Sequence, residues 1–371
     1  MEQVIVASDT TPVWSVELPF ENGSLYQDGA GGCLIATETA IAAITVDGRL
    51  RWSHEVPYYY SREPLVRDGH IHRIEDGHIV TRSLATGLPV SSFPIGPDVY
   101  SLDFDPWGGF VFREVPRVGE GRLRSATADG DARWTVAMPH LSDARRLKLL
   151  GDLVVTDVDS RLHAYDRDGR LRWVTWPHLW LTDPDPAAVP PARKHDDVTD
   201  LLDYDGDRLL TRWDWSDGGG YYLIDEFGRS TSHITTRQVR PPLAVLAGEG
   251  VPTRLAMQGP HRQEQRVFTY TVWMIEGDGV VWTHELGVAP TRLRPGAGGS
   301  LLVSSTPTQR RWDTYHWLKT LWHETFVRCL EPDGTTRWTW YAPGIITLGP
   351  LALTDGIVVA AAGGKLYALP A

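Results

Sequence analysis

A ten-residue phrase, AYDRDGRLRW at 164–173, constrains this chain more than any other feature. It reads as a strand, a two-residue turn at Asp168-Gly169 and a second strand ending on Trp173. Asp-Gly between apolar runs is a strong hairpin signal, because Gly accepts the positive φ that a twist-matched turn requires. The phrase recurs as AITVDGRLRW at 43–52, SATADGDARW at 125–134 and CLEPDGTTRW at 329–338, with a shorter copy, MIEGDGVVW, at 274–282. A hairpin returning about every forty residues indicates a repeat architecture.

Taking each hairpin as the last two strands of a unit, two further strands are found upstream of it. Seven units follow at 24–56, 64–95, 99–138, 144–176, 198–235, 242–287 and 291–342, the second and fifth carrying Ser91 and Ser232 where Trp is expected. Runs such as LVV, LLV and IVV bounded by Gly and Asp fit buried strands. One short helix is expected, at 315–325. An eighth unit at 347–371 has three strands, and PVWSVEL at 12–18 repeats the context of RLRWSHEV and VVWTHEL. The expectation is one all-β domain over 1–371, an eight-bladed β-propeller of four-stranded antiparallel blades. Its last blade is completed by the N-terminal strand, which protects the sheet edges. Seven blades is the alternative.

The pattern A-x-D-x-x-G-x-x-x-W, matched by Ala164, Asp166, Gly169 and Trp173, resembles the tryptophan-docking motif of the PQQ-like repeat β-propellers. Other copies keep Gly and Trp and replace the Asp by Thr45, Thr127 or Glu331. The resemblance implies a propeller in which Trp14, Trp52, Trp134, Trp173, Trp282 and Trp338 wedge between blades. That family includes quinoprotein alcohol dehydrogenases, whose adjacent cysteine pair at the quinone has no counterpart in Cys33 and Cys329. No cofactor is therefore expected. It also includes the periplasmic scaffold propeller of outer-membrane protein assembly.

Charge and cysteine usage narrow the partners. A net charge of −11 without a basic run argues against nucleic acid. Neither cysteine forms a CxxC, so no zinc or redox motif is present. No apolar run approaches the roughly 18 residues of a membrane helix, and the first residues lack the pattern of a signal peptide. A cytoplasmic protein without membrane association is expected.

The remaining tryptophans direct attention to one face. In a propeller, turns joining strands one to two and three to four lie on one side; two-to-three turns and inter-blade links lie on the other. The first set is short here. The second includes 57–63, 139–143, 176–197, 213–220, 258–266 and 306–325, of which 176–197 and 306–325 are the long insertions. These segments are rich in Trp, Tyr, His and Arg, which disordered segments avoid, and long loops on a compact scaffold commonly carry function. The candidate ligand-binding residues are Tyr58, Tyr59, Tyr60, Trp176, Trp180, Trp213, Trp215, Arg310, Arg311, Trp312, Tyr315, Trp317 and Trp322. The two arginines could clamp a carboxylate or phosphate as planar forks. Candidate acids and bases are His140, His178, His316, His323, Asp214 and Glu63, with His195, His261, Asp143, Asp196 and Glu324 nearby. Packing of the loops onto the blades accounts for the same aromatics.

Other motifs are weak. GxSxG, HExxH, P-loop and GxGxxG patterns are absent. His70 and His72 share a strand face and could pair as metal ligands, with His78 near; the wet face of a strand explains them equally well, and no metal is expected. Asp203, Asp205, Asp207 and Asp214 resemble a calcium loop, but Arg208 stands where Gly is required, so a tight turn is the better reading. Two functions remain. One is a cofactor-independent enzyme of cyclase, lyase, isomerase or hydrolase type, holding a small apolar or aromatic molecule at the channel mouth. There acid–base chemistry, or Trp faces stabilising developing positive charge, would act. The other is a non-catalytic scaffold binding a protein or peptide on its aromatic face.

Overall fold

A computed structural model describes residues 9–20, 23–57, 64–115, 121–138, 147–158, 161–176, 181–183, 197–203, 207–215, 218–235, 240–248, 251–258, 262–264, 267–276, 279–286, 288–306, 325–353 and 356–371. They form an eight-bladed β-propeller of antiparallel sheets, the first seven blades running through their four main strands in sequence order. Blade one is Ser24–Gln27, Cys33–Ala36, Ala40–Ile44 and Leu50–Glu55. Blade two is Leu65–Arg67, His70–Glu75, His78–Ser83 and Pro89–Pro94. Blade three is Val99–Phe104, Gly109–Glu114, Gly121–Thr127 and Ala132–Met138. Blade four is Leu147–Leu150, Leu153–Val158, Arg161–Tyr165 and Leu171–Trp176, with a fifth strand, Leu181–Asp183, on its edge.

Blade five is Asp197–Asp203, Arg208–Trp215, Gly218–Asp225 and Ser230–Thr235. Blade six is Arg240–Gly248, Val251–Gln258, Val267–Glu276 and Gly279–Leu286, with Arg262–Glu264 folded back on the third strand. Blade seven is Arg292–Pro295, Leu301–Ser305, Phe326–Leu330 and Thr336–Tyr341. Blade eight joins Ile346–Ala352, Ile357–Ala362 and Lys365–Pro370 to the N-terminal strand Trp14–Glu17, whose Trp14 pairs with Ala368. The count of eight replaces the seven-blade alternative. The helix expected at 315–325 lies, except for Thr325, outside the described residues.

The chain divides into two compact units. Unit one is Met1–Val56, Leu84–Gly87 and Gln238–Ala371; unit two is Pro57–Ser83 and Leu88–Arg237. Unit one thus holds blades one, six, seven and eight, and unit two blades two to five. The second strands are largely buried, and several of them, Cys33–Ala36 and Ile357–Ala362 among them, read as unbroken apolar runs. Cys33–Ala36 and Leu301–Ser305 are buried at every position.

The defining hairpin is wider than the expected two-residue turn. Gly169 N–H donates to Asp166 O at 2.9 Å, Asp166 N–H to Arg170 O at 3.0 Å, and the register shifts between Ala164 and Tyr165. Gly169 has φ +74°, so this is a turn closed by a bulge on a left-handed glycine. Asp166 Oδ1 accepts the N–H groups of Asp168 and Arg170 at 3.0 Å each, which gives the motif's Asp a purely local purpose. Asp225 makes the same pair of bonds in blade five. Where Thr replaces Asp, the hydroxyl accepts the second of these bonds: Arg49 N–H to Thr45 Oγ1 and Asp131 N–H to Thr127 Oγ1.

The glycine serves the neighbouring blade as well. Trp14 donates its Nε1–H to Val46 O at 2.8 Å, and its ring lies so close to Gly48 that a Cβ there would meet Trp14 Cδ2 at 2.6 Å. Trp52 donates to Leu84 O, Trp173 to Glu226 O and Trp282 to Pro332 O, each at 2.9 Å, and Trp134 lies against Gly169. A ring of this size buries about 150–250 Å², so these contacts tie successive blades together. Trp338 differs. The third and fourth strands of blade eight are joined by no turn, and Trp338 packs instead with Val358, Ala360 and Leu369. In blade two, Ser91 is not the end of the story: Phe93, two residues on, lies against Gly130 in its stead.

Candidate functional site

The two units bury different chemistry. Among the described residues, the buried charged groups of unit one reduce to Asp28, which faces Arg51 at 3.3 Å. Unit two buries Arg73, Glu75, Arg82, Asp105, Arg113, Asp157 and the imidazole of His163. Arg82 holds Glu75 through a bidentate contact, Nε to Oε1 at 2.8 Å and Nη2 to Oε2 at 2.6 Å. Asp105 accepts from Arg133 and from Ser125 Oγ. Removing a charge from water is costly unless it is paired and hydrogen-bonded, and these pairings satisfy that condition.

The densest part spans blades three and four, where their strands run into the connections between second and third strands. Arg113 Nη1 donates to Asp157 Oδ1 at 3.0 Å, with both side chains 1% exposed. Burial pulls the guanidinium down from its ordinary range, and the Asp157 carboxylate acts against that. On the adjoining strand, Arg161 pairs in register with Val158 and His163 with Thr156. Burial, aided by the Arg161 charge, pushes His163 down to about 4, so its imidazole is neutral near pH 7. Its Nδ1 lies 3.3 Å from the Tyr165 hydroxyl, which burial pushes up to about 12. The cluster therefore offers a fixed ion pair and a neutral imidazole–phenol pair. It can orient a polar group, and at neutral pH it has no protonated imidazole to donate.

The sequence candidates are distributed unevenly around it. Trp176 ends the fourth strand of blade four, 3% exposed, and packs with Leu150, Leu201 and Leu209 in the interior between blades four and five. Trp213, Asp214 and Trp215 end the second strand of blade five, in register with Gly220, Gly219 and Gly218; their side chains lie outside the described residues. Tyr58, Tyr59, Tyr60, Glu63, His140, His178, Trp180, Arg310, Arg311, Trp312, Tyr315, Trp317, Trp322 and His323, together with His316, also lie outside them. Of the insertion at 176–197, Leu181–Asp183 pairs as the edge strand of blade four. The acidic run near 203–207 is the connection between two paired strands, Asp203 standing opposite Leu209.

His70 and His72 do share a face, their ring centroids 6.3 Å apart, whereas His78 pairs with Glu75 at the other end of the strand. No group of three or more metal-ligating side chains is found among the described residues, and no described helix is long and apolar enough to cross a membrane.

Two sets of residues were not singled out from sequence. In W-x-H, His54 stacks on Trp52 at 5.5 Å and reaches Thr86 O at 2.8 Å, and His284 Nδ1 lies 3.1 Å from Gly334 O. The shared contexts RWSHE and VWTHE were the available signal. The second set, Arg113 and Asp157, left no signal, because isolated charges on strands read as a solvated face.

No family model and no curated protein matches the sequence. Likeness appears in structure. BamB from Moraxella catarrhalis gives a TM-score of 0.54 at 13% identity, covering 98% of this chain and 100% of that one. Sqt1 from Saccharomyces cerevisiae gives 0.63 at 10% identity, covering 97% and 99%. A catalytically inactive virginiamycin B lyase from Staphylococcus aureus, solved with quinupristin, gives 0.50 at 14% identity, covering 96% and 98%. At these identities the likeness is one of fold.

Proposed function

We propose that this protein is a small-molecule-binding propeller whose ligand sits on the side carrying the two-to-three turns and inter-blade links, with acid–base or cation-stabilising chemistry supplied by residues of those segments. The carrying observation is the asymmetry of buried charge. A purely structural scaffold has no need of the Arg113–Asp157 pair, since apolar residues of similar volume would be as stable or more so, and among the described residues unit one buries a single charged group, Asp28. Buried, perturbed ionisable groups concentrate at functional sites. Arg113 and Asp157 lie at the ends of second strands, beside two-to-three connections, the class of connection to which the aromatic segment 213–220 belongs. That the same fold occurs in a lyase solved with quinupristin supports the reading. Native mass spectrometry of protein purified from its own host tests it. The expected result is a co-purifying small molecule that is lost in a variant with Trp213 and Trp215 changed to Ala; identical spectra would overturn it.

A protein or peptide partner is the second reading. It is favoured by exposed apolar residues at the starts of fourth strands, Leu50, Val280 and Val281 in unit one. Changing all three to Ser would then abolish capture of that partner and leave small-molecule retention intact.

A further inference from the structure

We propose that His70 and His72 form a two-imidazole site for a divalent transition-metal ion of the Ni²⁺, Cu²⁺ or Zn²⁺ class. The two residues alternate on the second strand of blade two, so their side chains leave the same face, and their ring centroids are 6.3 Å apart. With nitrogen–metal bonds of about 2.0–2.1 Å, two rings at this spacing are within reach of one ion held between them. His70 Nδ1 lies 2.9 Å from Asp68 O, and a carbonyl can only accept. Nδ1 therefore carries the proton, and the lone pair is on Nε2. His72 Nδ1 is similarly engaged, 3.0 Å from Thr81 Oγ1, its cross-strand partner.

A ligating histidine characteristically uses its other nitrogen in such an outer contact, which fixes tautomer and ring orientation. The His72 ring is further held edge-on by Phe104 at 5.3 Å and by Phe110 at 5.1 Å. The Asp68-Gly69 turn makes the His70 contact possible, because Asp68 adopts φ +51°. Arg67 stands opposite His70 in register, its guanidinium over the Phe104 ring at 3.5 Å. That nearby positive charge opposes hard cations held by charge alone, so the site selects metals that bond well to imidazole. Water completes the coordination.

His78 supplies an internal control. Its Nδ1 contacts Asp76 O at 2.9 Å in the same way, yet no second imidazole shares its face. The test uses the full-length protein, freed of metal by chelator, titrated with Ni²⁺ by calorimetry and with Cu²⁺ by electron paramagnetic resonance. Wild type should bind Ni²⁺ and show nitrogen hyperfine structure from imidazole ligands. His70→Asn and His72→Asn should each weaken binding about tenfold or more, His78→Asn should leave it unchanged, and Mg²⁺ should have no effect. Equal Ni²⁺ affinity in wild type and in the His70→Asn variant would overturn the proposal, as would equal losses in His70→Asn and His78→Asn. His70 is half-exposed, so that variant decides the matter even if His72→Asn fails to fold.

Discussion

Unit one and unit two are made of the same repeat and differ in what they bury. In unit one the second strands of blades one and eight, Cys33–Ala36 and Ile357–Ala362, are apolar or small throughout. In unit two, equivalent strands carry Arg73, Glu75, Arg113 and Asp157 into the interior. Unit two accommodates its charges in pairs: Arg82 holds Glu75, Arg113 holds Asp157 and Arg133 holds Asp105. What differs is the consequence of a change. An apolar strand loses a little packing when altered, whereas a charged one exposes its partner to an uncompensated low-dielectric site.

The largest effect is expected in unit one, at its N-terminal strand. Deleting residues 1–19 removes Trp14–Glu17 from blade eight and leaves the outer edge of its third strand unpaired. The cooperative unfolding transition should be lost, as read by circular dichroism; an unchanged melting curve would break the account of blade eight. Next comes the buried pair of unit two. Arg113→Met should cost about 3–5 kcal/mol in urea unfolding, and adding Asp157→Leu should recover most of it. The matching apolar truncation in unit one, Ile35→Val, should cost about 0.5–1.5 kcal/mol. Equal losses in the two variants would remove the contrast between the units.

Acid should also distinguish them. His163 has an ordinary value of 6.5 and is held at about 4 when folded. The folded form therefore binds the proton less readily than the unfolded one, and the stability this represents is complete above about pH 6.5. It is lost as pH falls from there through 4, on the order of 3 kcal/mol. His163→Phe should flatten the pH dependence of stability over that interval, measured by urea midpoints. The smallest effect belongs to the repeat itself: Thr45→Asp should restore the turn bonding seen at Asp166 and alter stability by only about 0.5 kcal/mol. A large change there would show that the two residues are not interchangeable acceptors.

Much of the architecture was legible in the chain before any coordinates. The recurring Gly and Trp carry two physical requirements at once, a left-handed turn residue and a close approach for a flat ring, and few structures satisfy both at forty-residue intervals. That is why Trp14 could be placed in the last blade and the blades counted. Details that depend on a neighbour were less visible. Phe93 acts two residues beyond the position where Trp was expected, and the turn at Asp166–Gly169 is widened by a bulge.

The candidate site was legible only as composition. Trp176 stood out among the aromatics, and packing between blades four and five placed it in the interior. Arg113 and Asp157 lie forty-four residues apart in sequence and meet in the folded chain. Taken alone, each is a charge on a strand, and the alternation of a strand assigns such a residue to solvent. Stacking one blade on the next removes the solvent from both faces. The sequence by itself determined which residues turn and which dock, because those requirements are local or repeated. Only the tertiary structure decided which charges are buried together, because that depends on which blade covers which strand.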